Sequence, residues 1–150
     1  MSVILIATDG SRAARAAEAF GFEIARARGE QVLLLSVWAP LRGSFGVPLP
    51  EFLDPEFIDL EQAWAEKTLS EARIRADAVQ IDAETVVARG RPAEEVCRVA
   101  RERSASMVVI GSEGWGPVMS LLLGSTTLGV LQDAPCPVVV VRDTDGTEEA

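Results

Sequence analysis

The chain has 150 residues, 48% apolar and 25% charged, a balance that fits one globular domain with its own core and argues against disorder over most of the length. Its 23 acidic against 14 basic residues leave a net charge of -9, and Lys67 is the only lysine, so a sequence-independent grip on nucleic-acid phosphates is not expected. With no histidine, a Ser-His-Asp triad, a Cys-His pair and a histidine metal site are all excluded.

No apolar run approaches the length needed to span a bilayer, and the start Met1-Ser2-Val3-Ile4-Leu5-Ile6 lacks the basic region of a secretory signal, so a cytoplasmic protein without membrane partners is expected. Cys97 and Cys136 lie in apolar segments without a CxxC pair, which suits inert, reduced core thiols.

Val3 to Ala7 is a continuous apolar run, the pattern of a strand covered on both faces in a parallel sheet. It ends at Thr8-Asp9-Gly10-Ser11, where Ser11 can cap a helix whose Ala13, Ala16, Ala17, Phe20, Ile24 and Ala27 fall on one stripe, with Gly29 as its stop. Asp9 then stands at the carboxyl end of a strand, where open α/β sheets bind ligands; it also suits hydrogen bonding to the turn or to the helix N-terminus. Val32 to Trp38 is a second strand of the same kind. The segment from Ala39 to Pro55 carries four prolines, Gly43 and Gly46, and reads either as a loop covering a site or as a surface connection.

Asp54-Pro55 gives a capping acid before a proline at the first helical position, and Ile58, Ala65, Leu69, Ala72, Ala76 and Val79 recur at helical spacing. The outer face, with Glu61, Glu66, Glu71, Arg73 and Asp77, reads as solvated charge. Ala83 to Ala88 is a shorter, less apolar strand suited to an edge. Arg89-Gly90-Arg91-Pro92 opens a third helix with Glu94 and Glu95 in its first turn and Ala93, Val96, Cys97 and Ala100 on its buried stripe. Both arginines stand near a strand's carboxyl end, facing an anion or solvent.

Met107 to Ile110 is a fourth strand, and a glycine-spaced segment follows it to Thr127. Gly111 and Gly114 can turn backbone N–H groups toward one anion, and Gly124 gives a ligand close approach beside the hydroxyls and N–H groups of Ser125, Thr126 and Thr127. The same residues also suit a surface turn followed by a helix cap. A helix beginning near Gly124 and ending around Gln132-Asp133 precedes the last strand, Val138 to Val141. As an apolar edge, that strand invites homodimerisation. Residues 143–150 form an acidic tail expected to fray. The alternation of strands and helices with long crossovers is that of a single-domain, doubly wound α/β protein.

The spacing Gly111-x2-Gly114-x9-Gly124-Ser125 resembles the nucleotide motif of the ATP-binding subgroup of the universal stress protein family, the UspA-like proteins. Ile4 to Ser11 resembles that family's first strand and its aspartate, Met107 to Gly111 its fourth strand, and Ala134 to Val141 its closing strand. The similarity extends over residues 2–142, so that 1–142 would form the nucleotide-binding domain. It implies a five-stranded parallel sheet of order 3-2-1-4-5 with helices on both faces, a homodimer through Val138–Val141, and an adenine nucleotide between the first and fourth strands. By position, Asp9 would meet ribose or adenine, Ala7 and Thr8 would line the adenine slot, and the backbone of Val37 would recognise the base. Ile110 would pack beside the nucleotide, Gly111 and Gly114 would admit ribose and phosphates, and Gly124, Ser125, Thr126 and Thr127 would cradle the phosphates, with Mg²⁺ as an optional companion. The chain departs from the pattern in carrying Glu113 in this loop and no lysine or arginine from residue 104 to 141, which implies weaker affinity or a less charged nucleotide.

These residues imply an ATP-, ADP- or AMP-binding regulatory protein of the stress response, with protein partners that the sequence does not identify. The alternative is a family member that binds no nucleotide and acts as a protein-interaction dimer. A slow ATPase has less support, because the sequence lacks GxxxxGK[ST] and a histidine base, and no catalytic residue is assigned. A Rossmann dehydrogenase is weaker still.

Overall fold

A computed structural model describes residues 2–38, 55–113 and 123–143, without the side chains of 55–59. The elements run β1 (Val3–Ala7), α1 (Arg12–Arg28), β2 (Gln31–Trp38), α2 (Pro55–Ala78), β3 (Ala83–Arg89), α3 (Pro92–Glu102), β4 (Met107–Gly111), α4 (Ser125–Asp133) and β5 (Val138–Val141). All neighbouring strands pair in parallel, in the order β3-β2-β1-β4-β5. The expected strand order is therefore observed, with Ala83–Arg89 at one edge and Val138–Val141 at the other.

Alternating strand residues supply two apolar layers. Leu5, Ala7, Leu33, Leu35, Val108 and Ile110 face α3 and α4, while Ile4, Ile6, Val32, Leu34 and Val109 face α1 and α2. The change of side follows from handedness: β1 to β3 progress one way across the sheet and β4 to β5 the other, and right-handed crossovers then place their helices on opposite faces. Among the described residues no helix is long and apolar enough to cross a membrane.

Helix α1 corrects the expected stripe. Ala13, Ala14, Ala17, Glu18, Gly21, Phe22 and Ala25 face inward, whereas Phe20 is 38% exposed, Ala27 is exposed, and Ala16 and Ile24 are half-buried. Gly21 accounts for the phase. A Cβ there would lie 2.5 Å from Cδ1 of Ile6, so the helix brings its narrowest position onto β1. Ser11 caps this helix by accepting from the N–H of Ala14, and Gly29 closes it in the left-handed conformation at φ 67°, as expected.

In α2, Ala65, Leu69, Ala72 and Ala76 are buried as expected, but Val79 lies beyond the helix end and is 42% exposed. The expected cap Asp54, the segment 39–54, and the side chain of Ile58 fall outside the described residues. In α3 the inward face takes Val99 in addition to the expected residues, with Ala93 half-buried against the same core. Both cysteines are free, and burial pushes each thiol's pKa up, which disfavours the reactive thiolate. Asp143 meets Arg12 at 3.1 Å; residues 144–150 lie outside the description.

Candidate functional site

At the middle of the sheet, β1 and β4 lie side by side with Ala7 opposite Ile110. Their chains then part, β1 leading to α1 on one face and β4 toward α4 on the other. A crevice beyond the carboxyl ends of neighbouring strands that diverge in this way is where open α/β sheets bind ligands.

The loop after β1 is held by its own side chains. Ser11 N–H donates to Oδ1 of Asp9 at 3.0 Å, Gly10 N–H donates to the Thr8 hydroxyl at 3.2 Å, and Gly10 sits at φ 81°, a conformation that favours glycine. The Thr8 hydroxyl in turn donates to Oε2 of Glu18 at 2.6 Å. Glu18, in α1, is 1% exposed and receives two bonds from Arg75 of α2, at 2.7 and 3.1 Å. A buried carboxylate needs such partners, and here a bidentate guanidinium and a hydroxyl supply them. Hydrogen bonding to Glu18 raises the Arg75 pKa further. Thr8 therefore turns its hydroxyl toward α1, on the face opposite Ala7, Val37 and Ile110, which share the α3 and α4 side.

The loop after β4 begins at Gly111, where an added Cβ would lie 2.8 Å from the carbonyl carbon of Ala13 and 2.9 Å from the Ala14 nitrogen. Its missing side chain thus admits the first turn of α1. Gly124 differs. Its φ of -62° is open to any residue, and a Cβ there would meet Glu113 Cα at 3.5 Å and Ser112 O at 3.6 Å, ordinary contacts. Its N–H donates to Ser112 O at 2.9 Å, which returns the chain to the end of β4.

Gly124 is also the N-cap of α4 and offers the helix no side-chain cap. The N–H groups of Ser125, Thr126 and Thr127 lie in the first turn, where the helix itself provides no acceptor and its dipole favours an anion. Ser125 is exposed and Thr126 is buried. Thr127 donates its hydroxyl to Gly111 O at 2.7 Å and is fully buried, so that proton ties α4 to β4. Gly114 falls outside the described residues. Asp9 thus follows β1, and Gly124 and Ser125 head α4 after the neighbouring β4, while the side chains of Thr8 and Thr127 bond Glu18 and the end of β4.

Arg89 and Arg91 are engaged locally. The Arg89 guanidinium lies 5.0 Å from the centre of the Trp38 ring, and Arg91 approaches Glu94 at 3.6 Å. The Glu18–Arg75 pair was missed in the sequence because charges on helices ordinarily face water. Glu18 lies four residues beyond Ala14 and three before Gly21, a phase visible only once the inward face is known.

The sequence matches the model of the universal stress protein family over residues 1–142. The chain belongs to the universal stress protein family. A universal stress protein of Thermus aquaticus is 36% identical over 139 residues, covering 93% of this chain and 97% of that protein. A Mycobacterium tuberculosis universal stress protein is 35% identical over 144 residues, covering 95% of this chain and 48% of that protein, so the chain spans about half of that relative's length. Among solved structures, the universal stress protein UspA from Lactobacillus plantarum gives a TM-score of 0.81 at 27% identity, covering 94% of this chain and 97% of that one. Two further universal stress protein structures share the fold. One, in complex with cAMP, has a TM-score of 0.70 at 24% identity and covers 95% and 98% of the two chains. The other, from Archaeoglobus fulgidus in complex with dAMP, has 0.56 at 22% and covers 94% and 97%.

Proposed function

We propose that this universal stress protein is an adenine-nucleotide-binding regulatory protein of the stress response, its nucleotide held between the carboxyl ends of β1 and β4. The observation that carries this reading is that β1, which leads to the Asp9 carboxylate, and β4, which precedes an α4 N-terminus led by a glycine, lie side by side in the sheet. The carboxylate is suited to accept from ribose hydroxyls or the adenine amine, and the N–H groups of residues 125–127 to donate to phosphate. Gly124 adds to it, because the fold would accept an alanine there, so the space its absent side chain leaves is suited to a ligand. Ala7, Val37 and Ile110 supply apolar strand ends on the side where a base would pack, and two proteins of the same fold are complexed with cAMP and dAMP.

The donor set fits a nucleotide with few negative charges. Glu113 lies beside Gly124, and with no basic residue from 104 to 141 it leaves backbone donors and the helix dipole to balance the phosphates. A divalent ion would be shared between Asp9 and the phosphates and would offset their charge. Neighbouring molecules in the cell would read the nucleotide as a change of shape at the protein's surface. Among the described residues Val138–Val141 pairs only with β4, and it keeps its valines half-buried, which supports a homodimer through this edge. The reading without nucleotide, a protein-interaction dimer, draws its support from the same acidic loop.

Melting curves separate the two. Saturating AMP, ADP or MgATP is expected to raise the melting temperature, with AMP the most effective relative to its charge. Glu113→Gln is expected to improve MgATP affinity roughly threefold to tenfold, as removal of one like charge at short range would. A melting temperature that none of the three nucleotides moves, in a protein that still associates, would select the dimer reading.

A further inference from the structure

Helix α2 carries a second apolar stripe that the described residues leave in water. Leu60, Trp64 and Ile74 are 65%, 67% and 66% exposed, and they share one side of the helix with Lys67, Glu71 and the exposed Ala78. The six positions alternate in steps of four and three residues, the spacing of a coiled-coil seam. That seam lies on the far side from Ala65, Leu69, Ala72 and Ala76, which are buried against the sheet.

Among the described residues, the seam is only partly covered. Lys67 Nζ sits 5.5 Å from the centre of the Trp64 ring and 4.0 Å from a Glu71 oxygen, yet the Lys67 and Glu71 side chains keep 65% and 47% of their surface exposed. A tryptophan, an isoleucine and a leucine left open around one opposite-charge pair form a pattern that can pair with itself. Run antiparallel and centred level with Leu69, two such seams place Trp64 on Ile74 of the second copy, Lys67 on its Glu71, and Leu60 on its Ala78. Every apolar position then meets an apolar one, and both charges meet their opposites twice. A parallel pairing in register would set lysine against lysine and glutamate against glutamate.

We infer that the outer face of α2 is a homotypic interface, in which a second copy of this chain packs antiparallel through Leu60, Trp64, Lys67, Glu71, Ile74 and Ala78. The seam is about 27 Å long at 1.5 Å per residue. It covers the β2 and β3 half of the sheet, away from the β5 edge. The two surfaces can therefore be used by one chain at once, and this interface is independent of nucleotide binding.

Charge reversal tests it on the full chain by sedimentation velocity. Lys67→Glu and Glu71→Lys are each expected to halve the assembly mass, since each puts like charges in both central contacts. The exposure of both positions leaves the fold intact, and circular dichroism checks this. An equimolar mixture of the two variants is expected to regain the wild-type mass, because the introduced glutamate of one faces the introduced lysine of the other. Single variants with the wild-type mass would overturn the inference, as would a mixture that stays at half mass. A wild type already at the mass of the single variants would also overturn it and leave the seam to a different protein.

Discussion

Gly111→Ala is expected to destabilise this protein by about 3 kcal/mol, the upper part of the usual range for overpacking a core. The added methyl would lie within 3 Å of three backbone atoms of Ala13 and Ala14. A crowded side chain can turn away, but the first turn of α1 is fixed by the Ser11 cap and by packing of Ala13, Ala14 and Ala17 on the sheet. Relief therefore requires moving the helix or β4. The melting temperature of a domain of this size is expected to fall by roughly 6 to 12 °C. Gly124→Ala is the paired measurement. Its methyl enters ordinary contacts, and the expected change is below about 1 kcal/mol, the scale of a weakened N-cap. Equal losses in the two variants would contradict the separate roles assigned to these glycines.

Arg75→Ala is expected to cost about 2 to 3 kcal/mol. The substitution leaves Glu18, 1% exposed, with the Thr8 hydroxyl as its remaining partner. Breaking a buried pair by removing one member ordinarily costs 3 to 5 kcal/mol, and about a third of the Arg75 side chain faces solvent, which places the expected value below that range. The loss should spread beyond stability. Thr8 joins Glu18 to the loop bearing Asp9, so a disturbed Glu18 loosens the carboxylate at the crevice. Denaturant unfolding reports the first effect and amide hydrogen exchange at Gly10 and Ser11 the second. An Arg75→Ala protein with wild-type stability would show that the carboxylate finds another partner. Arg75→Lys should recover part of the loss, because an ammonium restores the charge but not the two-pronged geometry.

The strands were legible as apolar runs: Val3–Ala7 and Val32–Trp38 are buried throughout, as central strands covered on both faces must be, and Val138–Val141 forms a half-buried edge. The helices were legible in position but not always in phase. In α1, alanine recurs so often that several stripes fit equally well, and what selects one is the narrow Gly21 against Ile6 and the buried Glu18 beneath Arg75. Both depend on an approach from another element. The seam on α2 escaped for a related reason: its outer charges suggested a solvated face, and Leu60, Trp64 and Ile74 stand between them.

Asp9 follows β1, and Gly124 and Ser125 open α4 after the adjacent β4, the places in the chain that their spacing implied. Gly111 and Thr127 also have duties in the fold that spacing did not reveal: a Cβ at Gly111 would meet the first turn of α1, and the Thr127 hydroxyl bonds the end of β4. Sequence spacing brings residues to the same end of a sheet. It does not say which of them face the crevice and which hold its walls, because that depends on side-chain direction at the last residue of each strand.

The most direct test is calorimetric titration of nucleotide-free protein with AMP and MgATP, in the wild type and in Gly124→Val. Saturable heat in the wild type, lost in a Gly124→Val protein that melts at nearly the same temperature, is the predicted result. An absence of heat for both ligands at millimolar concentration, or binding that survives the valine unchanged, would contradict a nucleotide held between β1 and β4.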